Sequence, residues 1–296
     1  MDNSQMKTRL EAYRQQVESY LSRAFEDEAA PPELREAMGY SLFAGGKRLR
    51  PILCLTWAEL FRAQPEQILP FASALELIHT YSLIHDDLPA MDDDDYRRGQ
   101  PTSHIRFGED LAILAGDALL TEAFSLMARS AVQAEVLLPA IREVAEAAGP
   151  KGMVGGQVMD MNLTGRRMSD LETLKTMHGL KTGAMFRAAC VCGAMLAGAE
   201  ELDRERAVFF GTSLGLAFQV ADDILDVIGD SRNLGKSTGS DEKQGKITYP
   251  SLLGIRDSRA LGYKLVDEAL GSLEPYAGPA AEFLRALAGY VMERTE

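Results

Sequence analysis

Two clusters of aspartates are the residues of this sequence best suited to chemistry. The first ends an apolar run with six aspartates, in the stretch His79-Thr-Tyr-Ser-Leu-Ile-His-Asp-Asp-Leu-Pro-Ala-Met-Asp-Asp-Asp-Asp95. The second, Phe218-Gln-Val-Ala-Asp-Asp-Ile-Leu-Asp226, also places paired aspartates at the end of a mostly apolar stretch. Crowded carboxylates repel one another unless a cation offsets them, and oxygen ligands favour Mg²⁺ or Ca²⁺. One such cluster alone is more typical of a solvated acidic loop, but the second copy favours metal sites.

The spacing within each cluster predicts how the carboxylates meet. Asp222 and Asp226 are four positions apart, so a continuous helix places them on one face. Asp86 and Asp92 are six apart, and a straight helix would rotate them away from each other by roughly 120°. Pro89 resolves this, because a proline ends the helix near its own position and lets Asp92 return from a loop. Two such helices facing each other would form a carboxylate-walled cleft that binds several Mg²⁺ ions together with an anionic ligand.

The composition indicates an all-α protein with one domain. The chain has 296 residues without a linker or low-complexity tract, so we expect a single domain over 1–296. Alanine and leucine are abundant and β-branched alternation is scarce, which favours helices.

No apolar run reaches about 18 residues and the first residues lack a signal pattern, so we expect a soluble, cytoplasmic chain without stable membrane insertion. The formal net charge of −13 argues against nucleic-acid binding. The three cysteines lack metal spacing and read as reduced core residues: Cys54, Cys190 and Cys192.

Basic residues recur beside the acidic clusters. In Gly45-Gly-Lys-Arg-Leu-Arg-Pro51, paired glycines expose backbone amides next to three cations, which suits a phosphate group. The glycine spacing is not that of a P-loop, and a helix cap followed by surface charges is the alternative reading. Arg97 and Arg98 follow the first aspartate cluster, where they either neutralise it or bind diphosphate oxygens with their fork geometry.

The periodicity predicts helices and two interruptions. The expected helical segments are 6–27, 32–44, one from Pro51, one from Pro70 to the first aspartate cluster, 109–130, 132–148, 173–199, 203–229, and two or three in 251–296. Gly155 and Gly156 lie inside a helical pattern and predict a kink or a close backbone approach. Around 178–183, glycines flank Lys181 and Thr182 and predict a break in the helix. Burial of that lysine would need an anionic partner, and snorkelling to the surface is the alternative.

These motifs, in this order, resemble the family of trans-prenyltransferases, the isoprenyl diphosphate synthases. The resemblance runs over essentially the whole chain and rests on Gly45-Gly-Lys-Arg-Leu-Arg-Pro51, His79, Asp86-Asp87-x₄-Asp92 with Arg97-Arg98, Gly116-Asp117, Lys181-Thr182, Phe218-Gln219-x-x-Asp222-Asp223-x-x-Asp226, and Gly235-Lys236 with Lys246. It implies an all-α bundle around a central cavity, usually as a homodimer. It also implies Mg²⁺-dependent, head-to-tail condensation of isopentenyl diphosphate with dimethylallyl or geranyl diphosphate.

The resemblance assigns roles to individual residues. The principal ligands of three Mg²⁺ ions would be Asp86, Asp92 and Asp222, supported by Asp87, Asp223 and Asp226. The residues expected around the allylic diphosphate are Arg97, Lys181, Thr182, Gln219, Lys236 and Lys246. Those expected to hold isopentenyl diphosphate are Lys47, Arg50, His79 and Arg98. The residues implied in catalysis are Asp86, Asp92, Lys181, Thr182 and Asp222, with the Lys181 carbonyl and Thr182 hydroxyl stabilising a carbocation.

The resemblance also predicts the length of the product. An aromatic residue five positions before the first aspartate is similar to the C15-forming bacterial members of the family. Tyr81 matches that position, and Ser82 leaves room above it for a C10 tail. A core tyrosine is the alternative reading. A C20-forming synthase of the same family and a noncatalytic helical subunit are the competing functions, and intact aspartates in both clusters argue against the second.

Overall fold

The chain is all-α, as its composition predicts. The computed structural model describes residues 1–25, 30–165, 170–228 and 245–295. Its helices are α1 (Asn3–Ala24), α2 (Pro32–Leu42), α3 (Leu49–Leu60), α4 (Pro65–Asp86), α5 (Ser103–Phe107), α6 (Glu109–Ala128), α7 (Ala134–Ala148), α8 (Met153–Leu163), α9 (Leu171–His178), α10 (Ala184–Leu196), α11 (Glu201–Ile228), α12 (Tyr249–Ser272) and α13 (Pro279–Glu293). A short antiparallel hairpin pairs β1 (Tyr96–Arg97) with β2 (Gln100–Pro101).

The helix that carries the first aspartate cluster begins earlier than its sequence predicts. The predicted start at Pro70 is wrong, because α4 begins at Pro65 and Pro70 lies inside it. Pro65 suits the first turn, where a helix needs no backbone N–H. Pro70 costs a backbone hydrogen bond, but the residues after it, from Phe71 to Ile78, are buried. Tertiary packing of this buried segment outweighs the local helix-breaking tendency of the proline.

The core joins both ends of the chain around α4 and α11. Buried side chains from Met6 in α1 to Met292 in α13 belong to one hydrophobic core. Helix α11 packs along α12 and α10, while α4 packs along α6 and α3. The three cysteines are free and buried, as predicted. The two helices with the aspartates are therefore held from several sides, which fixes where their ends lie.

A π-helical turn, Gly179–Gly183, replaces regular helix between α9 and α10. It lies where the sequence predicts a break, and it carries Lys181 and Thr182. Helix α8 approaches this turn so closely that a Cβ at Gly156 would lie 2.2 Å from the Lys181 backbone nitrogen. The expected close approach at this pair of glycines is thus confirmed. Only glycine fits at this contact, and it fixes the backbone of the turn against α8.

Among the residues that the structure describes, two helices are long and apolar enough to cross a membrane by length and composition alone. They are α6 and α11. Core helices of soluble proteins pass the same test, and 56% of the most apolar segment of α11 is buried inside the fold. In α6, only 39% of the corresponding apolar segment is buried inside the fold. This helix exposes the apolar side chains of Ile113 and Leu114.

Candidate active site

The first aspartate cluster folds back on itself at the end of α4. The helix ends at Asp86, and the backbone N–H of Asp92 donates to the Asp86 carbonyl oxygen at 2.9 Å. Asp93 adopts a positive φ of 54°, which turns the chain. The prediction that Pro89 stops the helix and returns Asp92 to Asp86 is therefore confirmed.

Asp87 has a different environment from its neighbour. It is 3% exposed, and the Arg97 guanidinium binds it through Nε at 2.8 Å and Nη2 at 2.5 Å. This fork pairing is the strong form of an ion pair and leaves the carboxylate charge compensated. Arg97 lies at the edge of the cleft, but its guanidinium is directed to this aspartate. The structure thus places it as a support of the acidic loop, whereas the resemblance implies a contact with the allylic diphosphate.

The second aspartate cluster divides in the same way. Asp223 is buried, and its carboxylate accepts hydrogen bonds from Gln219 Nε2 at 2.8 Å and the Tyr249 backbone N–H at 3.0 Å. The Thr182 hydroxyl lies 3.0 Å from Gln219 Oε1, so the π-helical turn is joined to α11. Asp222 instead lines the cleft. Asp87 and Asp223 are therefore each bound by their surroundings, whereas Asp222 lines the cleft.

Two lysines near the cleft form ion pairs with aspartates. Lys246 Nζ lies 3.2 Å from Asp92 Oδ2, although the two residues are 154 positions apart. Lys181 Nζ donates to Asp160 Oδ2 at 2.5 Å, so this lysine has the anionic partner that its burial requires. Lys236, which the resemblance assigns to the allylic diphosphate, lies outside the described residues.

The cleft-facing aspartates fit Mg²⁺ by their chemistry. Burial and the nearby Asp92 carboxylate raise the pKa of Asp86 to about 6, although Lys181 opposes this shift. A divalent cation would relieve the same repulsion. Within the described residues, no three acidic, histidine or cysteine side chains form a closed metal cage. Mg²⁺ does not need one, because it binds through one or two carboxylates together with waters and substrate phosphates. Such partial sets of ligands would be provided by Asp86 and Asp92 at the end of α4, and by Asp222 on α11.

A cationic cavity of about 360 Å³ opens beside Asp222. Lys47, Arg50 and Arg98 line it, and none of these three forms an ion pair with another described residue. Arg48 also lines the cavity, but Glu76 neutralises it in a buried pair at 2.9 Å. The excess of positive charge among the lining side chains would favour binding of an anion in this cavity.

His79 lies in the same cavity. Burial lowers its pKa far below the usual value, and Arg50 and Arg98 contribute to this shift. The imidazole is therefore neutral at physiological pH and can offer one donor and one acceptor. The structure brings together Lys47, Arg50, His79 and Arg98, the four residues that the resemblance assigns to isopentenyl diphosphate.

The two residues predicted to set product length lie next to each other on α4. Tyr81 is 7% exposed and packs edge to face on His85, with ring centres 5.7 Å apart. The Ser82 hydroxyl donates to the His79 carbonyl at 2.9 Å. Tyr81 is thus buried and fixed, and Ser82 turns its hydroxyl to the backbone.

Sequence reasoning missed two residues of the site. Asp160 was assigned no role from the sequence, whereas the structure pairs this residue with Lys181. Arg294 extends from the end of α13 to Asp222, with Nη2 3.4 Å from Oδ1, and its guanidinium lies 4.9 Å from the centre of the Phe218 ring. The four-residue spacing of Gly156 and Asp160 was an available signal for the first, because it places both on one face of a helix.

The raised pKa of Asp86 leads to a prediction about stability. The folded-state pKa of about 6 lies above the usual range of an aspartate in an unfolded chain, so ionised Asp86 destabilises the fold above pH 6, and this cost falls as pH decreases. In EDTA at pH 7.5, we expect Asp86→Asn to raise the free energy of unfolding by about 1–2 kcal/mol. Chemical denaturation measures the difference, which should shrink toward pH 4. Asp95→Asn, at an exposed position, is the control and should stay within about 0.5 kcal/mol of wild type. A destabilised Asp86→Asn variant would contradict the prediction.

Comparison with known proteins identifies the family. Residues 31–278 match the polyprenyl synthetase family. A geranylgeranyl diphosphate synthase of Cyanophora paradoxa is 45% identical over 294 residues, covering 99% of this chain and 97% of that protein. A farnesyl diphosphate synthase of Geobacillus stearothermophilus is 47% identical over 253 residues, covering 84% of this chain and 85% of that protein. The crystal structure of an FPP/GFPP synthase from Zymomonas mobilis, in its apo form, superimposes with a TM-score of 0.87 at 36% identity, covering 98% of this chain and 99% of that chain. The predicted resemblance is confirmed: the chain is a prenyltransferase that belongs to the polyprenyl synthetase family.

Proposed function

We propose that this prenyltransferase makes farnesyl diphosphate, a C15 product, from isopentenyl diphosphate and dimethylallyl or geranyl diphosphate. The observation that carries the product length is Tyr81, a bulky side chain buried on α4 five residues before Asp86. A tail that descends along α4 from a diphosphate at Asp86 would meet this ring within two helical turns. The farnesyl diphosphate synthase among the relatives supports the proposal. Geranylgeranyl diphosphate synthesis is the second candidate, because a relative of that name is 45% identical over nearly its whole length.

The two substrates would occupy regions of different charge. The cationic cavity suits isopentenyl diphosphate, with Lys47, Arg50 and Arg98 on the phosphate oxygens and neutral His79 as a hydrogen-bonding partner. The allylic diphosphate would lie between the aspartate clusters. There Lys181 and Lys246 are already held by Asp160 and Asp92, so their ammonium groups need little reordering to bind it.

Mg²⁺ is the cofactor that the cleft-facing aspartates support. Asp86, Asp92 and Asp222 would hold it, and it would supply charge neutralisation for the leaving diphosphate. The number of ions, three per site, stays a prediction from the resemblance. Arg294 already lies against Asp222, so it is a further cation close to the diphosphates.

The reaction needs no protein nucleophile. The allylic C–O bond breaks with its electron pair leaving on the diphosphate, and Lys181 and Lys246 stabilise that charge. The double bond of isopentenyl diphosphate then forms a C–C bond with the allylic carbocation. The new cation loses a proton to the released diphosphate, which restores a double bond. The Lys181 carbonyl and the Thr182 hydroxyl, both on the π-helical turn, would stabilise the first carbocation.

A product assay tests the activity and its metal dependence. Incubated with geranyl and isopentenyl diphosphate and Mg²⁺, the protein should consume both and form a C15 product, measured by chromatography after dephosphorylation. EDTA should abolish turnover, and Asp86→Asn should lower kcat by at least about 10²-fold while staying folded. A wild-type rate in that variant would remove Asp86 from the metal site. A main product of C20 would favour the second candidate, and a protein that consumes neither substrate would be a noncatalytic subunit.

Substitution at Tyr81 tests the assignment of product length. Tyr81→Ala should shift the main product from C15 to C20 or longer, because removal of the ring opens space for another isoprene unit. The size of the effect should be about tenfold or more in the ratio of C20 to C15. Tyr81→Phe keeps the ring and should keep C15. Unchanged C15 output from Tyr81→Ala would instead make it a core residue without influence on the product.

We also infer that the protein is a homodimer. Helix α6 exposes Ile113 and Leu114, and α8 exposes Val154, Val158 and Met161. Such apolar surface is of the kind that subunit interfaces cover.

Leu114→Glu should convert the dimer to a monomer in sedimentation velocity experiments, because it places a charge in the interface. Leu202→Glu is the matched control, since Leu114 and Leu202 are both 56% exposed. A wild-type protein that sediments as a monomer would refute the dimer. The cytoplasmic location stays a prediction from the sequence.

A further inference from the structure

A histidine connects Tyr81 to the neighbouring helix α6. His85 follows Tyr81 by four residues on α4, so the two side chains lie on one face of the helix. Their rings meet edge to face at 80°, with centres 5.7 Å apart. This is the favoured geometry for an aromatic pair, and it restricts how the Tyr81 ring can turn.

Gly116 of α6 provides the space for the imidazole. A Cβ at this position would lie 2.1 Å from His85 Nε2 and 2.5 Å from Cδ2, distances that no side chain could occupy without a shift of the ring. The imidazole therefore lies directly against the backbone of α6. A glycine in the interior of a helix costs stability relative to alanine, so its presence here has a packing reason.

A polar contact fixes the imidazole at this position. His85 Nε2 lies 3.1 Å from the carbonyl oxygen of Ile113, one turn before Gly116 on α6. Since a carbonyl only accepts, the contact requires the tautomer that carries a proton on Nε2. The ring is thus held between the α6 backbone on one side and Tyr81 on the other.

We propose that His85 is a positioning residue for product length. It holds the Tyr81 ring in place as the floor of the tail cavity, and Gly116 is required because it admits the imidazole. This inference rests on the proposed function, in which Tyr81 limits the product. Without the imidazole, the Tyr81 ring turns into the vacated space and the cavity deepens. The expected consequence is a longer product, although His85 itself touches no reacting atom.

The ratio of C20 to C15 product tests the inference, because a merely structural role would lower stability or rate without moving this ratio. His85→Ala should raise the ratio about tenfold. His85→Phe, which keeps a ring against Tyr81, should raise it much less. The double variant Tyr81→Ala, His85→Ala should give the same ratio as Tyr81→Ala alone, because His85 acts only through Tyr81. His104→Ala is the control, since His104 is a buried histidine on α5 that is hydrogen-bonded to Thr102, and it should leave the ratio unchanged.

The outcomes separate this inference from the proposed function. An unchanged ratio in His85→Ala, together with longer products from Tyr81→Ala, would overturn the role of His85 and leave the C15 proposal intact. Additive lengthening in the double variant would also overturn it. If the wild type forms mainly C20, the C15 proposal fails, and the same variants still decide the role of His85 by their ratios of longer to shorter product. If thermal unfolding shows that His85→Ala does not fold, His85→Gln replaces it, because glutamine retains an N–H for Ile113 but lacks the ring.

Discussion

Repulsion between carboxylates at the ends of α4 and α11 is the constraint on which the rest of the site depends. The fold compensates one aspartate of each pair permanently. Asp87 is bound by the Arg97 fork, and Asp223 accepts hydrogen bonds from Gln219 and from the backbone of Tyr249. These two carboxylates anchor their helix ends and are not free to move with a ligand. The repulsion that remains is therefore concentrated on the cleft-facing residues, where a metal ion would relieve it.

Cations from distant parts of the chain pair with two of the aspartates expected to hold metal. Lys246 lies against Asp92 and Arg294 against Asp222, at 3.2 and 3.4 Å. The same cationic groups suit phosphate oxygens, so metal and diphosphate binding would exchange their partners without leaving any charge uncompensated. The cationic cavity differs, because Lys47, Arg50 and Arg98 have no ion-pair partner among the described residues. One part of the cleft is thus lined by carboxylates, and the other by cations without ion-pair partners among the described residues.

Close backbone approaches give the site its shape. Gly156 lets α8 contact the π-helical turn that carries Lys181 and Thr182, and Gly116 lets His85 lie against α6. In both places a missing side chain on one helix determines where a functional side chain on another helix lies. Because such contacts leave no room for an added atom, the position of one helix closely determines the position of its neighbour. In the proposed reaction, product length and carbocation stabilisation would consequently depend on helices that contribute no catalytic group.

The sequence by itself determined the features that arise from neighbouring residues. Helical periodicity and composition predicted the all-α class, Pro89 predicted the return of Asp92, and the glycines around Lys181 predicted the break. The tertiary structure decided the start of α4 at Pro65 and the partners of Arg97, Asp160 and Arg294. The physical reason is range: a proline or a helical period acts over a few residues, whereas an ion pair forms between side chains that packing brings together. Lys246 and Asp92 meet across 154 positions, and no local pattern encodes that meeting.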